Sequence, residues 1–440
     1  MKIFIVTFGC KVNQYESQAI WEKFAQIGWT KAVSTTESDV VVVNSCTVTE
    51  ESDKKVKKAL HKIRKENANA IIVLIGCLPQ AFAAKPDFIE NVKNADIVLG
   101  NECKYEILAH VLDFLKTKNK IVKVKAFDAR NPKFESSIIS DFSERTRAFL
   151  KIEDGCDNFC SYCIIPYARG RVRSKPIDEI LAEVQNLAQN GYKEVVLVGI
   201  NLSAYGKDIG LTLCDAVETV CCVGGIERVR LGSLEPEQMD EDVILRLSVQ
   251  KKLCPQFHLS LQSGCNETLK RMNRTYSPED YYSAVKRLRE NFENAAITTD
   301  VMVGFAGETD EEFEKSISFV KKVGFAKVHV FTYSKRAGTR AAEFENQVDP
   351  LVKKNRSKAM IKVTDSARRE FLDSQIEKIE PVLYEMRDSK GFWHGHTRNY
   401  TPVVIEANRA VPDLALHSKI VLTKLIKAED DYCVGSLVEN

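Results

Sequence analysis

The sequence predicts an α/β protein of three units: an N-terminal parallel-sheet α/β domain, a central partial (β/α)6 barrel and a small C-terminal all-β barrel. Three observations carry this prediction. Apolar runs of strand length in the first hundred residues are each followed by a helical pattern, and six further strand–helix alternations run from Phe149 to Ser334. From Gln375 onward only short β-like runs with intervening turns remain. The expected boundaries are 1–125, a connection at 126–147, 148–374 and 375–440.

In the first unit KIFIVTFGC ends in Cys10, DVVVVNSC in Cys46 and AIIVLIGC in Cys77, and ESQAIWEKFAQIG is a typical following helix. Strands alternating with helices build βαβ units, whose right-handed crossovers bring every strand's C-terminal end to one edge of a parallel sheet. Cys10, Cys46 and Cys77 are therefore expected to converge where open α/β sheets place their ligands. Two readings stand: a three-thiolate cluster site with one open position, or three small apolar residues that close buried strands. Another strand, ADIVLG, and a helix near Tyr105 to Leu115 follow, with Cys103 read as structural. The polar stretch ARNPKFESSIISDFSER reads as a connection.

The central unit opens on FLKIEDG and continues with EVVLVGIN, RVRLGS, FHLSLQ, ITTDVMVGF and KVHVFTYS. Six units are fewer than a closed eightfold barrel requires, and barrel folds gather their chemistry at C-terminal strand ends. Those ends present Gly199, Asn201 and Tyr205, then Ser233 and Glu235, Gln262 and Ser263, and Gly304 and Glu308. Glycine admits a bulky ligand and small polar groups can hold it, although each residue also suits a turn.

Directly after the first of these strands stand Cys156, Cys160 and Cys163, spaced C-x3-C-x2-C. Three thiolates in one loop hold three corners of a [4Fe-4S] cube and leave one iron for an outside ligand. A structural zinc would want a fourth thiolate or imidazole nearby, and neither His110 nor His258 stands at such spacing. Oxidised pairs are the remaining reading. Against them, the thirteen cysteines lack framework spacing and MKIFIVTFGC reads as a strand rather than a secretory segment.

Lys plus Arg number 63 and Asp plus Glu 61, so net charge points to no polyanion partner. Basic residues nonetheless gather at KKVKKALHKIRK, RGRVRSK and KKNRSK, which suit either a phosphate backbone or a solvated helix face. The longest apolar runs are far too short to span a bilayer, so a cytoplasmic protein without a membrane partner is expected.

The C-x3-C-x2-C triplet with Tyr162 before its last cysteine resembles the radical S-adenosylmethionine enzymes, and IEDGCDNFCSYCIIPYARGRVRS is similar to the methylthiotransferases among them. TFGCKVNQYES, VNSCTVT and IGCLPQ resemble the three cysteine motifs of that family's N-terminal domain, and HGHTRNYTPVVIE resembles its RNA-binding TRAM module. The resemblance implies two [4Fe-4S] clusters, a radical one on Cys156, Cys160 and Cys163 and an auxiliary one on Cys10, Cys46 and Cys77. It also implies two S-adenosyl-L-methionine molecules consumed per product, one cleaved to a 5'-deoxyadenosyl radical. Tyr162, Gly199, Asn201, Ser233 and Gln262 fall in the stretches that line the family's cofactor pocket. Trp393, His394, Arg398 and Tyr400 suit stacking on bases and contact with phosphates, and the aromatics equally suit packing of the barrel itself.

Acid–base catalysis at ordinary side-chain pKa values cannot insert sulfur at an unactivated aromatic C–H bond, so the implied radical route fits the implied reaction. Family branches act on isopentenyladenosine in tRNA, on threonylcarbamoyladenosine in tRNA, or on a ribosomal-protein aspartate. Lys11 to Ser17 most resemble the MtaB branch, which modifies N6-threonylcarbamoyladenosine at position 37 of tRNA. The expected partners are tRNA, a reducing electron donor and a sulfur donor, with each active site complete in a monomer. A noncatalytic iron–sulfur RNA-binding protein is the contrasting class.

Overall fold

The structure, a computed structural model, describes residues 1–128, 133–139, 146–406 and 416–438. Six strands, β1 (Lys2–Thr7), β2 (Thr30–Lys31), β3 (Val40–Ser45), β4 (Ile71–Gly76), β5 (Ile97–Leu99) and β6 (Ile121–Lys123), form one sheet in the order β2-β1-β3-β4-β5-β6. Every pairing is parallel. The residues of β3 and β4 are buried throughout, because helices cover both faces and leave no polar side for alternation. Helix α2 (Glu50–Glu66) shows how: Thr49 caps it by accepting from the Ser52 amide, and Val56, Leu60 and Ile63 recur at helical spacing to face the sheet.

Helix α1 (Lys11–Ala25) faces two ways. Ile20 and Phe24 join the core of the sheet, whereas Val12, Tyr15 and Ala19 belong to the core of the central unit. The first domain is thereby joined to the second through shared apolar surface.

The central unit opens on β7 (Arg147–Lys151) and a two-stranded antiparallel pair, β8 (Glu153–Asp154) with β9 (Arg173–Ser174), which brackets the cysteine loop. Parallel strands β10 (Glu194–Val198), β11 (Arg228–Leu231), β12 (Ser233–Leu234), β13 (Gln256–Leu259), β14 (Ala296–Val303) and β15 (Lys327–Thr332) complete it. They pair as β11-β10-β7 and as β12-β13-β14-β15, so the expected RVRLGS strand divides at Gly232 and belongs to both halves of the curved sheet.

The C-terminal unit is a closed five-stranded barrel of β16 (Ile379–Arg387), β17 (Phe392–His396), β18 (Pro402–Glu406), β19 (Ile420–Ala428) and β20 (Cys433–Leu437). The expected connection lies partly outside the described residues. Its described part is docked: the Tyr15 hydroxyl donates to the Ser137 carbonyl at 2.6 Å, and Ile139 is buried. Among the described residues, no helix is long and apolar enough to cross a membrane.

Candidate functional site

The sheet register brings Cys10, Cys46 and Cys77 to one edge. Thr7 pairs with Asn44 and Ser45 with Gly76, so the residues that follow each strand leave the sheet side by side. Two glycines make this possible. Gly9 adopts φ +113°, and a Cβ on it would stand 2.9 Å from the Cys46 Cβ; Gly76 adopts φ +103°, where a Cβ would meet the Ser45 carbonyl oxygen at 2.7 Å. Two of the thiols sense their neighbours electrostatically: Cys77 acts on Cys10, and Cys77 and Cys10 act on Cys46.

Polar side chains fasten the triplet. The Cys10 thiol donates to Asn13 Oδ1 at 3.2 Å, Asn13 Nδ2 donates to Asn44 Oδ1 at 3.1 Å, and Asn101 Nδ2 lies 3.5 Å from Cys77 Sγ. Above them sits Arg169, which comes from the other domain. It donates to Asn13 Oδ1 at 3.2 Å and to the Glu16 carboxylate at 2.8 and 3.1 Å. Glu16 also receives Lys104 at 2.6 Å and Lys151 at 2.9 Å. Burial alone would raise its pKa, but Arg169, Lys104 and Lys151 hold it far below the ordinary carboxylate range.

The second triplet lies in one loop. Cys156, Cys160 and Cys163 are partly exposed, and the Cys163 amide donates to the Cys160 carbonyl at 3.0 Å. Arg274 Nη1 stands 3.3 Å from Cys160 Sγ and pairs with Glu235, while Asn201 Nδ2 lies 3.8 Å from Cys156 Sγ. Burial pushes the Cys156 and Cys163 thiols up to about 12 and Cys46 to about 11. Binding a metal centre therefore releases protons from both places.

All thirteen cysteines are free thiols in the structure. Among the described residues, the one set of three His, Cys, Asp or Glu donor atoms within 4.8 Å of one another is Cys265, Glu267 and Glu312. Neither thiol triplet is among such sets. Three soft thiol donors with no fourth protein ligand are a donor set of the kind that holds iron–sulfur clusters. Around the loop triplet, three buried oxygens have no hydrogen-bond partner, namely Asn201 Oδ1, Gln262 Oε1 and Glu153 Oε1. Such atoms suit a polar ligand that arrives with its own donors.

The other sequence-selected residues divide. Gln262 is held at φ +65° on the ladder between Asp300 and Met302, with its side chain buried, and Tyr162 meets Phe305 edge-on. Gly199 is required by a protein neighbour, because a Cβ there would lie 2.6 Å from Glu153 Oε2. Ser233 is exposed at the start of β12.

Two expectations are corrected. In RGRVRSK only the second arginine, Arg171, is exposed among the cations. Arg169, Arg173 and Lys175 are buried against Glu16, Asp154 and Glu183, so this segment ties the domains together instead of meeting phosphates. In the C-terminal barrel Trp393 is core, Arg398 donates to the Lys251 and Leu253 carbonyls, and Tyr400 stacks on His396 between Arg147 and Arg230. Arg398 and Tyr400 dock the module onto the central barrel, and His394 is partly exposed and pairs with Asp388.

The sequence reading missed Gly9, Gly76, Arg169 and Arg274 as parts of these sites, and Asn13 and Glu16 as more than branch markers. The signal available was adjacency, since both glycines directly precede a cysteine; nothing local marked Arg274. Lys11 directly follows Cys10 at the start of α1. Solvent reaches it, yet protein surrounds it closely enough that desolvation, followed by Arg147 and Arg230, brings its ammonium down to about 8.

Comparison with known proteins extends this picture. The Radical SAM superfamily model matches residues 150–320, and that of Uncharacterized protein family UPF0004 matches residues 2–100. The chain is 35% identical to "Threonylcarbamoyladenosine tRNA methylthiotransferase MtaB" of Bacillus subtilis over 98% of its length and 95% of the relative's. It is 38% identical to the protein of the same name from Thermotoga maritima, over 92% and 91%. It is 32% identical to "tRNA-2-methylthio-N(6)-dimethylallyladenosine synthase" of Acetivibrio thermocellus, over 98% and 90%. Among solved structures, the radical S-adenosylmethionine methyltransferase TsrM from Kitasatospora setae shares the fold, with a TM-score of 0.59 at 11% identity over 83% of this chain and 89% of that one.

Proposed function

The chain belongs to the radical S-adenosylmethionine methylthiotransferase family, and from that premise we propose that it installs sulfur and a methyl group at C2 of N6-threonylcarbamoyladenosine at position 37 of tRNA. The observation that carries the reading is the pair of three-thiol sites on facing domains, joined by Arg169. Cys156, Cys160 and Cys163 would hold the radical cluster, and Cys10, Cys46 and Cys77 the auxiliary one. S-adenosylmethionine would lie among Asn201, Gln262, Tyr162 and the strand ends that carry Gly199 and Ser233. When bound, these groups supply a one-electron route to a C–H bond that side-chain acids and bases do not reach.

The chain's own residues have three tasks. Asn13, Asn44 and Asn101 orient the strand-end thiols, and Arg274 sets its guanidinium against the Cys160 sulfur. The ion-paired Arg169–Glu16–Lys151 group fixes one domain against the other, so that both triplets address one substrate position. A cleft of about 970 Å³ beside the cysteine loop is lined by Phe127, Phe159 and Tyr167 with the cations Lys125 and Arg171, a composition suited to single-stranded RNA.

A second reading is modification of N6-isopentenyladenosine, because a relative named for the dimethylallyladenosine reaction is 36% identical, within the range of those named MtaB. Comparison of tRNA nucleosides from cells with and without the gene decides between them. Loss of the 2-methylthio mark from threonylcarbamoyladenosine supports the proposal; its persistence there with loss from isopentenyladenosine overturns it. Reduced, anaerobically reconstituted protein should also form 5'-deoxyadenosine from S-adenosylmethionine, and its absence would exclude the radical reading.

A further inference from the structure

The central unit grips the strand-end triplet at a second place, through a side chain that has no task in the scheme above. Arg336 follows the end of β15 and is buried. Its Nη1 donates to the Asp53 carboxylate of α2 at 2.6 Å and its Nη2 to the Thr47 hydroxyl, which donates in turn to the other Asp53 oxygen at 2.7 Å. The three side chains close a ring of polar contacts, and Thr47, the residue after Cys46, is fully buried. The guanidinium also lies over the Phe82 ring, 4.5 Å from its centroid, at the end of helix α3 (Cys77–Phe82). One arginine of the barrel thus touches the segments that leave Cys46 and Cys77.

The chain that carries Arg336 also reaches the loop triplet. The Thr339 hydroxyl and amide donate to the Arg336 carbonyl at 2.7 and 3.1 Å, which turns the segment, and the Ala341 amide donates at 2.7 Å to the carbonyl of Ser161, between Cys160 and Cys163. Gly338, at φ +90°, brings the backbone against Ile164, the residue after Cys163, whose Cδ1 would stand 3.5 Å from a Cβ placed there. Desolvation offsets much of the attraction within a buried ion pair, and Arg336 Nε makes no hydrogen bond among the described residues. What the charged ring adds over an apolar contact is one fixed geometry. We propose that Arg336 is a positioning residue: through Thr47 and Phe82 it sets the strand-end triplet against the loop triplet, so that radical formation at one site is coupled to sulfur insertion at the other. The inference rests on the two-cluster reading above and is independent of which adenosine is the substrate.

The test uses cluster-loaded full-length protein under anoxic conditions, with S-adenosylmethionine and an anticodon stem-loop RNA bearing whichever N6-substituted adenosine the natural protein methylthiolates. Iron content, 5'-deoxyadenosine and 2-methylthio product are measured for the natural protein, Arg336→Met, Arg336→Lys and Thr47→Val. Hydrogen exchange of residues 45–49 adds a readout independent of turnover. Arg336→Met should keep its iron and form 5'-deoxyadenosine at the natural rate, while product per 5'-deoxyadenosine falls about ten- to a hundredfold, the scale of a displacement of about 1 Å. Its residues 45–49 should exchange faster. Arg336→Lys, which keeps a charge for Asp53, should restore most of the ratio. Thr47→Val, which leaves the Arg336–Asp53 pair in place, should lower the ratio by a smaller factor. An unchanged ratio in Arg336→Met overturns the inference, as does a loss of product and 5'-deoxyadenosine in equal proportion. Should Arg336→Met lose iron, Thr47→Val decides alone, and a natural ratio there overturns the inference. Failure of the underlying reading looks different: the natural protein itself would form no 5'-deoxyadenosine.

Discussion

The two thiol triplets reach similar donor sets by opposite routes. Cys156, Cys160 and Cys163 sit in a single loop bracketed by β8 and β9, whereas Cys10, Cys46 and Cys77 come from three strand ends more than thirty residues apart. The loop triplet owes its shape to local chain geometry and draws its outside help, Arg274 and Asn201, from the barrel around it. The strand-end triplet exists only when the parallel sheet is in register, and it borrows Arg169 from the neighbouring domain. The difference teaches that one site takes its shape from a single short segment and the other from the register of a whole sheet.

The largest effects should come from the cysteines themselves. Cys160→Ala is expected to abolish 5'-deoxyadenosine formation, whereas Cys46→Ala should preserve it and stop sulfur insertion. Matched assays of cofactor cleavage and of 2-methylthio product would show the split, and identical behaviour of the two variants would erase the proposed division of labour.

Arg169→Met tests the bridge between the sites. It strips the buried Glu16 and Asp154 of a shared partner, and breaking such a pair from one side costs about 3–5 kcal/mol. Denaturant unfolding should report that loss, and a change below about 1 kcal/mol would mean that Lys104 and Lys151 suffice.

Gly9→Ala probes dependence on backbone. The left-handed φ and the approach to Cys46 predict a cost of about 1–3 kcal/mol together with iron lost from the strand-end site alone. Cofactor cleavage should survive, because the loop triplet is built without that turn.

Acid provides a more global contrast. Burial raises the Glu194 pKa, but Arg230 first among its partners brings it down to about 2. Because the folded pKa is depressed, this pairing contributes fully above about pH 4.5 and is lost as pH falls toward 2, on the order of 3 kcal/mol. Unfolding followed over that range should show the decline in the natural protein and little of it in Glu194→Gln.

How much could be read in the sequence follows the same division. Hydrophobic runs gave the parallel sheet, and spacing alone picked out the loop triplet. Convergence of Cys10, Cys46 and Cys77 followed from strand handedness, since β3 and β4 are uninterrupted apolar runs that only a doubly covered parallel sheet accommodates. Charge placement was not legible. Arg169 and Arg173 look identical in sequence to exposed Arg171, and only the packing of Glu16 and Asp154 against them tells buried partners from a surface patch. Tyr400 and Arg398 misled for the same reason, because an aromatic beside a cation serves a domain interface as well as it serves RNA.

Iron per chain, measured with Mössbauer spectra on anoxically purified protein, tests the central claim of two separate three-thiolate clusters most directly. About eight iron atoms are expected in the natural chain and about four in either Cys46→Ala or Cys160→Ala, each variant retaining one [4Fe-4S] signal. Four or fewer in the natural protein, or an iron count that Cys46→Ala leaves unchanged, would contradict it.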